Sequence, residues 1–261
     1  MKGKSSLYMY EPVELTRKLI QFDTVNPPGN EKEIALFIGD LILENGFAIN
    51  YHVFEENRLH LIAEKGVSPE KNPIVFSGHL DVVPLGTRKW DVEPFSGEIV
   101  NGKIFGRGSS DMKGGVAAML VAAIEAFNEN PPVEGIRIVL TAGEELGCQG
   151  ATQLVSTYHK LGKAKAIIIA EPTSNNPIIG HKGGLYLNIS IQGISAHSSM
   201  PELGDNAIYK AAHAITKIEQ WDFSGIEDSI LGVPTINVGK ITGGQNLNSV
   251  PDHAEFTIDF R

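Results

Sequence analysis

The sequence predicts an α/β fold: a central mixed, largely parallel sheet followed by a smaller α+β unit. Three observations carry this. Short β-branched runs, Ile74-Val75-Phe76, Arg137-Ile138-Val139-Leu140 and Ala166-Ile167-Ile168-Ile169, read as buried strands. An Ala-rich helical stretch, Met112 to Asn128, lies between the first two, and strands alternating with helices imply parallel pairing. After Gly180-His181-Lys182-Gly183-Gly184 the pattern changes to Tyr186-Leu187-Asn188-Ile189-Ser190-Ile191, a strand with alternating faces.

The remaining elements follow in order. Glu11 to Gln21 reads as an amphipathic helix, Asp23-Thr24-Val25-Asn26 as a loop, and Asn30 to Asn45 as a second helix that starts after Pro27-Pro28-Gly29 and closes near Gly46. Beyond Ile191, a helix from about Asn206 to Gln220 and strands near Thr235 to Lys240 and Ala254 to Phe260 complete the smaller unit. Neither an internal repeat nor a low-complexity segment interrupts the pattern, and the loop Asp222 to Gly232 carries the weakest signal.

The chain has 261 residues, 42% of them hydrophobic, enough to bury a sizeable core in one large or two modest domains. Its formal net charge of −9 and its lack of Lys/Arg clusters argue against nucleic acid or an anionic membrane as the main partner, because phosphate binding needs concentrated positive charge. A small polar substrate is expected instead. Met1-Lys2-Gly3-Lys4-Ser5-Ser6 leads into the charged segment Glu11 to Arg17, so no secretory signal is visible, and no run is apolar enough to span a bilayer. With Cys148 as the one cysteine, no internal disulfide can form, which fits the cytoplasm.

The chemistry-bearing residues recur in one structural position. Ser77-Gly78-His79-Leu80-Asp81-Val82-Val83 ends the first strand; Gly106 to Gly115 brings Asp111; Thr141-Ala142-Gly143-Glu144-Glu145 follows the second strand; Ala170-Glu171-Pro172-Thr173 follows the third. In open α/β sheets ligands gather beyond the carboxyl ends of the strands, where His79, Glu144, Glu145 and Glu171 would all lie. Imidazole and carboxylate together suit zinc, and a carboxylate between two cations can bridge them. A two-metal hydrolase is the expectation.

With these motifs in order from Glu11 to Arg261, the chain resembles the M20 family of metallo-aminoacylases and peptidases, most of all its acetylornithine deacetylase and succinyl-diaminopimelate desuccinylase branch. The resemblance implies a zinc-peptidase-like catalytic domain over residues 1–181 and an inserted lid or dimerisation domain over 182–261. It implies two zinc ions, with cobalt able to substitute: His79 and Glu171 on one, Asp111 bridging, Glu145 on the second. Glu144 would be the catalytic base, and Asp81 would hydrogen-bond His79 and fix its tautomer. His197, in Ser195-Ala196-His197-Ser198-Ser199-Met200-Pro201, resembles the lid histidine that stabilises the oxyanion, often across a dimer interface. Asn248, in Gly243 to Pro251, and Arg261 resemble the positions that hold the substrate carboxylate. The family's second zinc also takes a histidine from a later segment, and its chain returns to complete the first sheet, so this chain is expected to be a C-terminally truncated member.

Plainer readings stand beside these. Asp111 could cap a helix beginning at Met112; Glu144-Glu145 could be a solvated acidic pair; Glu171 could merely end a strand; His197 could make a structural hydrogen bond. His52, His60, His159, His213 and His253 carry no motif and read as surface or core residues, and Cys148 as a small buried thiol. Gly106-Arg107-Gly108 lacks the Gly-Lys-Ser/Thr ending of a phosphate loop.

The expected activity is removal of an acetyl or succinyl group from an N-acyl amino acid, as in arginine or lysine biosynthesis, by a cytoplasmic enzyme that dimerises through its lid. A dipeptidase or carboxypeptidase is the near alternative. An inactive binding or dimerisation module is the alternative of another class, with a single-metal enzyme of reduced activity between them.

Overall fold

The computed structural model describes residues 11–159 and 161–261. The opening segment Met1 to Ser6, where no secretory signal is expected, lies outside them. The chain separates into two compact units that divide between Asn175 and Asn176, where the sequence pattern suggested 181/182.

In the first unit, helix α1 (Pro12–Ile20) opens on a proline, whose missing N–H costs nothing in a first turn, and buries Leu15, Thr16, Leu19 and Ile20. Helix α2 (Lys32–Leu43) buries Ile34, Ala35, Ile38, Leu41 and Ile42. Strands β1 (Ala48–Glu55), β2 (Arg58–Lys65) and β3 (Ile74–His79) follow, then the short ribbon β4 (Ile99–Val100) and β5 (Lys103–Ile104). An irregular turn over Ser109–Lys113 leads into α3 (Gly114–Glu129), then come β6 (Ile136–Thr141), α4 (Gln149–Thr157) and β7 (Ala166–Ile169).

The main sheet runs β1-β2-β6-β3-β7. β2 pairs antiparallel with both β1 and β6, whereas β3 pairs parallel with β6 and β7, so the sheet is mixed. Central β6 is buried throughout. Its Ile136, Ile138 and Leu140 join α2, α3 and α1 residues on one face, while Val139 packs with Ile62, Val75 and Leu154 on the other, as a period of two requires. β7 lies at the sheet edge with all four residues exposed.

In the second unit, β8 (Leu185–Gln192), β10 (His253–Phe260) and β9 (Ile236–Gly243) form an antiparallel sheet in the order β8-β10-β9. Helix α5 (Ala207–Glu219) is capped by Asn206, whose Oδ1 accepts from the main-chain N–H of Ile208 at 2.9 Å and Tyr209 at 3.1 Å. Its Ala207 and Ala211 pack on Ala254, Phe256 and Ile258. Among the described residues no helix is long and apolar enough to cross a membrane.

Candidate metal centre

The parallel register of β3 with β6 sets His79 beside Thr141 at the carboxyl ends of both strands. Leu80-Asp81 and Ala142 to Glu145 therefore leave the sheet side by side. β7 pairs Ile169 with Ser77, so Glu171 emerges from the same edge. Gly115, at the start of α3, helps close this end: a Cβ there would lie 2.2 Å from the Ala170 carbonyl oxygen, so only glycine lets the helix approach the strand end this closely.

Three predicted ligands meet. The donor atoms of His79, Asp111 and Glu171 all lie within 4.8 Å of one another. His79 Nε2 is 3.1 Å from Asp111 Oδ1, 3.5 Å from Glu171 Oε1 and 4.0 Å from Glu144 Oε2. One imidazole with two carboxylates is a donor set that suits zinc or a similar divalent cation, and the side chains fit such an ion. Glu145 stands outside this group of three.

Burial alone would depress the His79 pKa, but the Asp111 hydrogen bond and the charges of Asp81, Glu171 and Glu144 push it up to about 9. The hydrogen bond to His79 holds Asp111 below its ordinary value. Burial, reinforced by Asp111, Glu144 and Asp81 against the opposing pull of His79, raises Glu145 to about 7. Burial likewise raises Glu171. Several acids compete here for one positive charge, as expected of residues gathered around a cation.

One alternative reading needs correction. Asp111 caps no helix: α3 begins at Gly114, and Asp111, with φ −121° and ψ 100° in the preceding turn, turns its carboxylate to His79. Asp81 fixes the His79 tautomer through its main-chain carbonyl, which accepts from Nδ1 at 2.9 Å and leaves Nε2 to face the acids. The Asp81 carboxylate, 3.7 Å from Nδ1 and fully buried, has other partners. It accepts from Asn26 Nδ2 at 2.8 Å and from the main-chain N–H of Glu144 and Glu145 at 3.0 and 3.1 Å.

Cys148 is exposed, not buried, and its thiol donates to Glu144 Oε1 at 3.3 Å. Partial desolvation of the sulfur and the Glu144 carboxylate push its pKa up to about 11, which keeps it protonated and poorly nucleophilic. Lys113, fully buried, donates from Nζ to the Phe22 carbonyl at 2.7 Å; burial lowers its pKa to about 8.

In the second unit His197 and Asn248 sit on neighbouring segments: His197 bridges Ser249, and the Ser198 N–H donates to the Asn248 carbonyl at 3.0 Å. His197 Nδ1 accepts from the Ser199 N–H at 3.2 Å, so the proton of the neutral ring sits on Nε2. Arg261 lies at the other end of β10, donating to Asp259 at 2.8 Å and to the Tyr186 hydroxyl at 2.6 Å. The length of β10, eight residues or roughly 25 Å, separates it from Asn248, so one chain does not bring both to a single carboxylate.

Sequence patterns alone do not reveal Asn26, Glu31, Arg58 and His60, which surround the Glu144-Glu145 turn from below. Glu31 reads as an acid at a helix start and His60 as a lone histidine. The one local signal is Pro27-Pro28-Gly29 beside them: Gly29 has φ +85°, and a Cβ there would lie 2.3 Å from the Arg58 guanidinium carbon.

Residues 75–252 match the model of the peptidase family M20/M25/M40. A succinyl-diaminopimelate desuccinylase of Ruegeria sp. is 33% identical over 263 residues, covering 96% of this chain and 65% of the relative. A second, from the Wolbachia of Brugia malayi, is 31% identical over 257 residues, covering 92% and 63%. This chain thus spans somewhat less than two thirds of the length of these curated relatives. Among solved structures, an M20 family metallo-carboxypeptidase from Sulfolobus solfataricus superposes with a TM-score of 0.76 at 21% identity, covering 96% of this chain and 71% of that one. The chain belongs to the M20/M25/M40 peptidase family.

Proposed function

We propose that the chain carries the catalytic residues of a metal-dependent amidohydrolase that removes an acyl group from an N-acyl amino acid. Succinyl-diaminopimelate is the first candidate substrate and acetylornithine the second. The single observation that supports this most is the convergence of His79, Asp111 and Glu171 with Glu144 at 4.0 Å from the imidazole. Relatives above 30% identity with desuccinylase names support the succinyl group.

His79, Asp111 and Glu171 would hold one cation, and Asp111 with Glu145 a second, zinc being preferred and cobalt able to replace it. Bound there, the cations would lower the pKa of water towards about 7 and polarise the scissile carbonyl. Glu144 takes a proton from the attacking water and returns it to the nitrogen as the C–N bond breaks, giving the free carboxylic acid and the amine. We assign His197 the oxyanion-donating role, through the proton on Nε2, and Asn248 and Arg261 contacts to the substrate carboxylate. Because Asn248 and Arg261 lie at opposite ends of β10, a homodimer through the second unit, with one residue from each copy, suits the assignment better than one chain acting alone. A reducing cytoplasm suits a chain whose one cysteine has no disulfide partner.

The test is hydrolysis of succinyl-diaminopimelate, acetylornithine and a set of dipeptides by the zinc-loaded protein. Glu144→Gln should lower kcat by about 10²- to 10⁴-fold while zinc content is retained. Unchanged turnover in that variant would sink the base assignment. Preference for dipeptides would favour the peptidase reading, which the likeness to the metallo-carboxypeptidase supports.

A further inference from the structure

The turn that carries Glu144 and Glu145 is held in an unusual way. Four successive main-chain N–H groups donate to side chains of other segments. Ala142 donates to His60 Nδ1 at 3.1 Å, Gly143 to Glu31 Oε1 at 3.2 Å, and Glu144 and Glu145 to the two oxygens of Asp81 at 3.0 and 3.1 Å. Successive amides pointing one way make a concavity that binds anions. Here the protein's own buried side chains, two acids and a histidine, take up the four amides.

We propose that Glu31 and His60 are positioning residues for Glu144 and Glu145: together with Asp81 they take up the amides of residues 142–145 and so fix the points from which both acidic side chains leave the backbone. The proposal rests on the role given above to Glu144.

Each acceptor is itself held. Arg58 grips Glu31 with both nitrogens of its fork, Nε at 2.8 Å and Nη2 at 2.6 Å. Arg58 lies over the Phe54 ring, 4.8 Å from its centroid, in the space Gly29 leaves open. His60 accepts on Nδ1, so its proton is on Nε2, which donates to Gln153 Oε1 at 3.3 Å. Asp81 is steadied by Asn26. Glu31, His60 and Asp81 are all fully buried. None of them can reach a substrate; Glu31 and His60 act through the turn, and Asp81 acts through the turn and through its carbonyl on His79 Nδ1.

A buried N–H needs an acceptor in any protein, so a purely architectural role must be separable from a positioning one. Two pairs of variants separate them. Glu31→Gln keeps an oxygen for the Gly143 amide and Glu31→Leu removes it. His60→Asn keeps an acceptor near the Nδ1 position and His60→Leu removes it. Amide hydrogen exchange of the whole metal-free chain is the first readout, and kcat against KM for the hydrolysed amide the second.

In the two leucine variants, exchange at residues 142–145 should accelerate by at least about 10-fold relative to the Ile136–Thr141 strand. Displacement of Glu144 should then lower kcat by about 10- to 100-fold while KM stays within about two-fold, and the Gln and Asn variants should recover most of the loss. Unchanged exchange at 142–145, equal acceleration along the whole strand, or acceleration without loss of kcat would each overturn the proposal. If Glu31→Leu does not fold because Arg58 loses its buried partner and keeps only Glu55, the His60 pair decides. If the wild-type protein hydrolyses none of the amides, the reading of Glu144 falls while the exchange data still decide whether the amides are held as proposed.

Discussion

The acids around the turn form two sets that differ in one respect. Asp111, Glu171 and Glu144 have side chains 52%, 39% and 35% exposed, whereas Glu31 and Asp81 are fully buried. The exposed set gathers around His79 Nε2. The buried set faces backbone amides and an arginine. The same functional group thus does two jobs, and solvent access separates them: a carboxylate that must meet a ligand stays reachable, and one that must hold the chain gives up water for fixed donors.

The strongest way to break the comparison is to remove the residue on which the exposed set converges. His79→Ala should abolish stoichiometric zinc retention, measured by elemental analysis after removal of excess metal. The loss of hydrolysis should exceed the roughly 10- to 100-fold attached to losing a ligand's supporting partner. Retained zinc would mean that the exposed acids do not form the centre.

Asp81→Asn tests the buried set with little change in volume. One of its oxygens becomes an amide NH₂, which cannot accept from the Glu144 or Glu145 N–H, so one donor is left unpaired. Stability to urea should fall by about 1–3 kcal/mol. Wild-type stability would show that the two amides find water instead.

The smallest effect sharpens the contrast through pH. Burial holds the His60 pKa down; the Gln153 contact opposes it, and His52 and Arg58 add to it. Because the folded-state pKa lies below the unfolded value of about 6.5, the native state binds fewer protons, and stability is lost as pH falls from about 6.5 through the folded pKa. Protonation also removes the acceptor for the Ala142 N–H. The thermal midpoint of the wild type should therefore fall more steeply with acid over that window than that of His60→Asn. Parallel pH curves would remove His60 from the buried set.

Sequence revealed the strands and helices whose apolar content is dense. β7 matches the Ala166–Ile169 run end to end, and α5 lies within one residue of its expected limits at each end. The β1–β2 hairpin was hidden because Asn50, His52, His60, Glu64 and Lys65 dilute its alternation, and α4 because only Gly150 and Leu154 of its nine residues are buried. The exposed set was legible as motifs, since Glu144 and Glu171 each follow a strand and Asp111 sits in a glycine-rich approach to a helix. The buried set was not: Glu31 sits beside a helix start, where an acid needs no further explanation, and its partners are distant in sequence.

That distance has a consequence for how the protein forms. Gly143 and Glu31 are 112 positions apart, Ala142 and His60 82, and Glu144 and Asp81 63. Helices such as α1 and α2 close over a few residues, but these contacts must each repay the entropy of a long loop, and contacts of that kind form late. Competence to hold the turn is therefore a property of the finished first unit: a nascent chain released before residue 142 has the histidine, Asp111 and all three buried acceptors, yet nothing for those acceptors to hold.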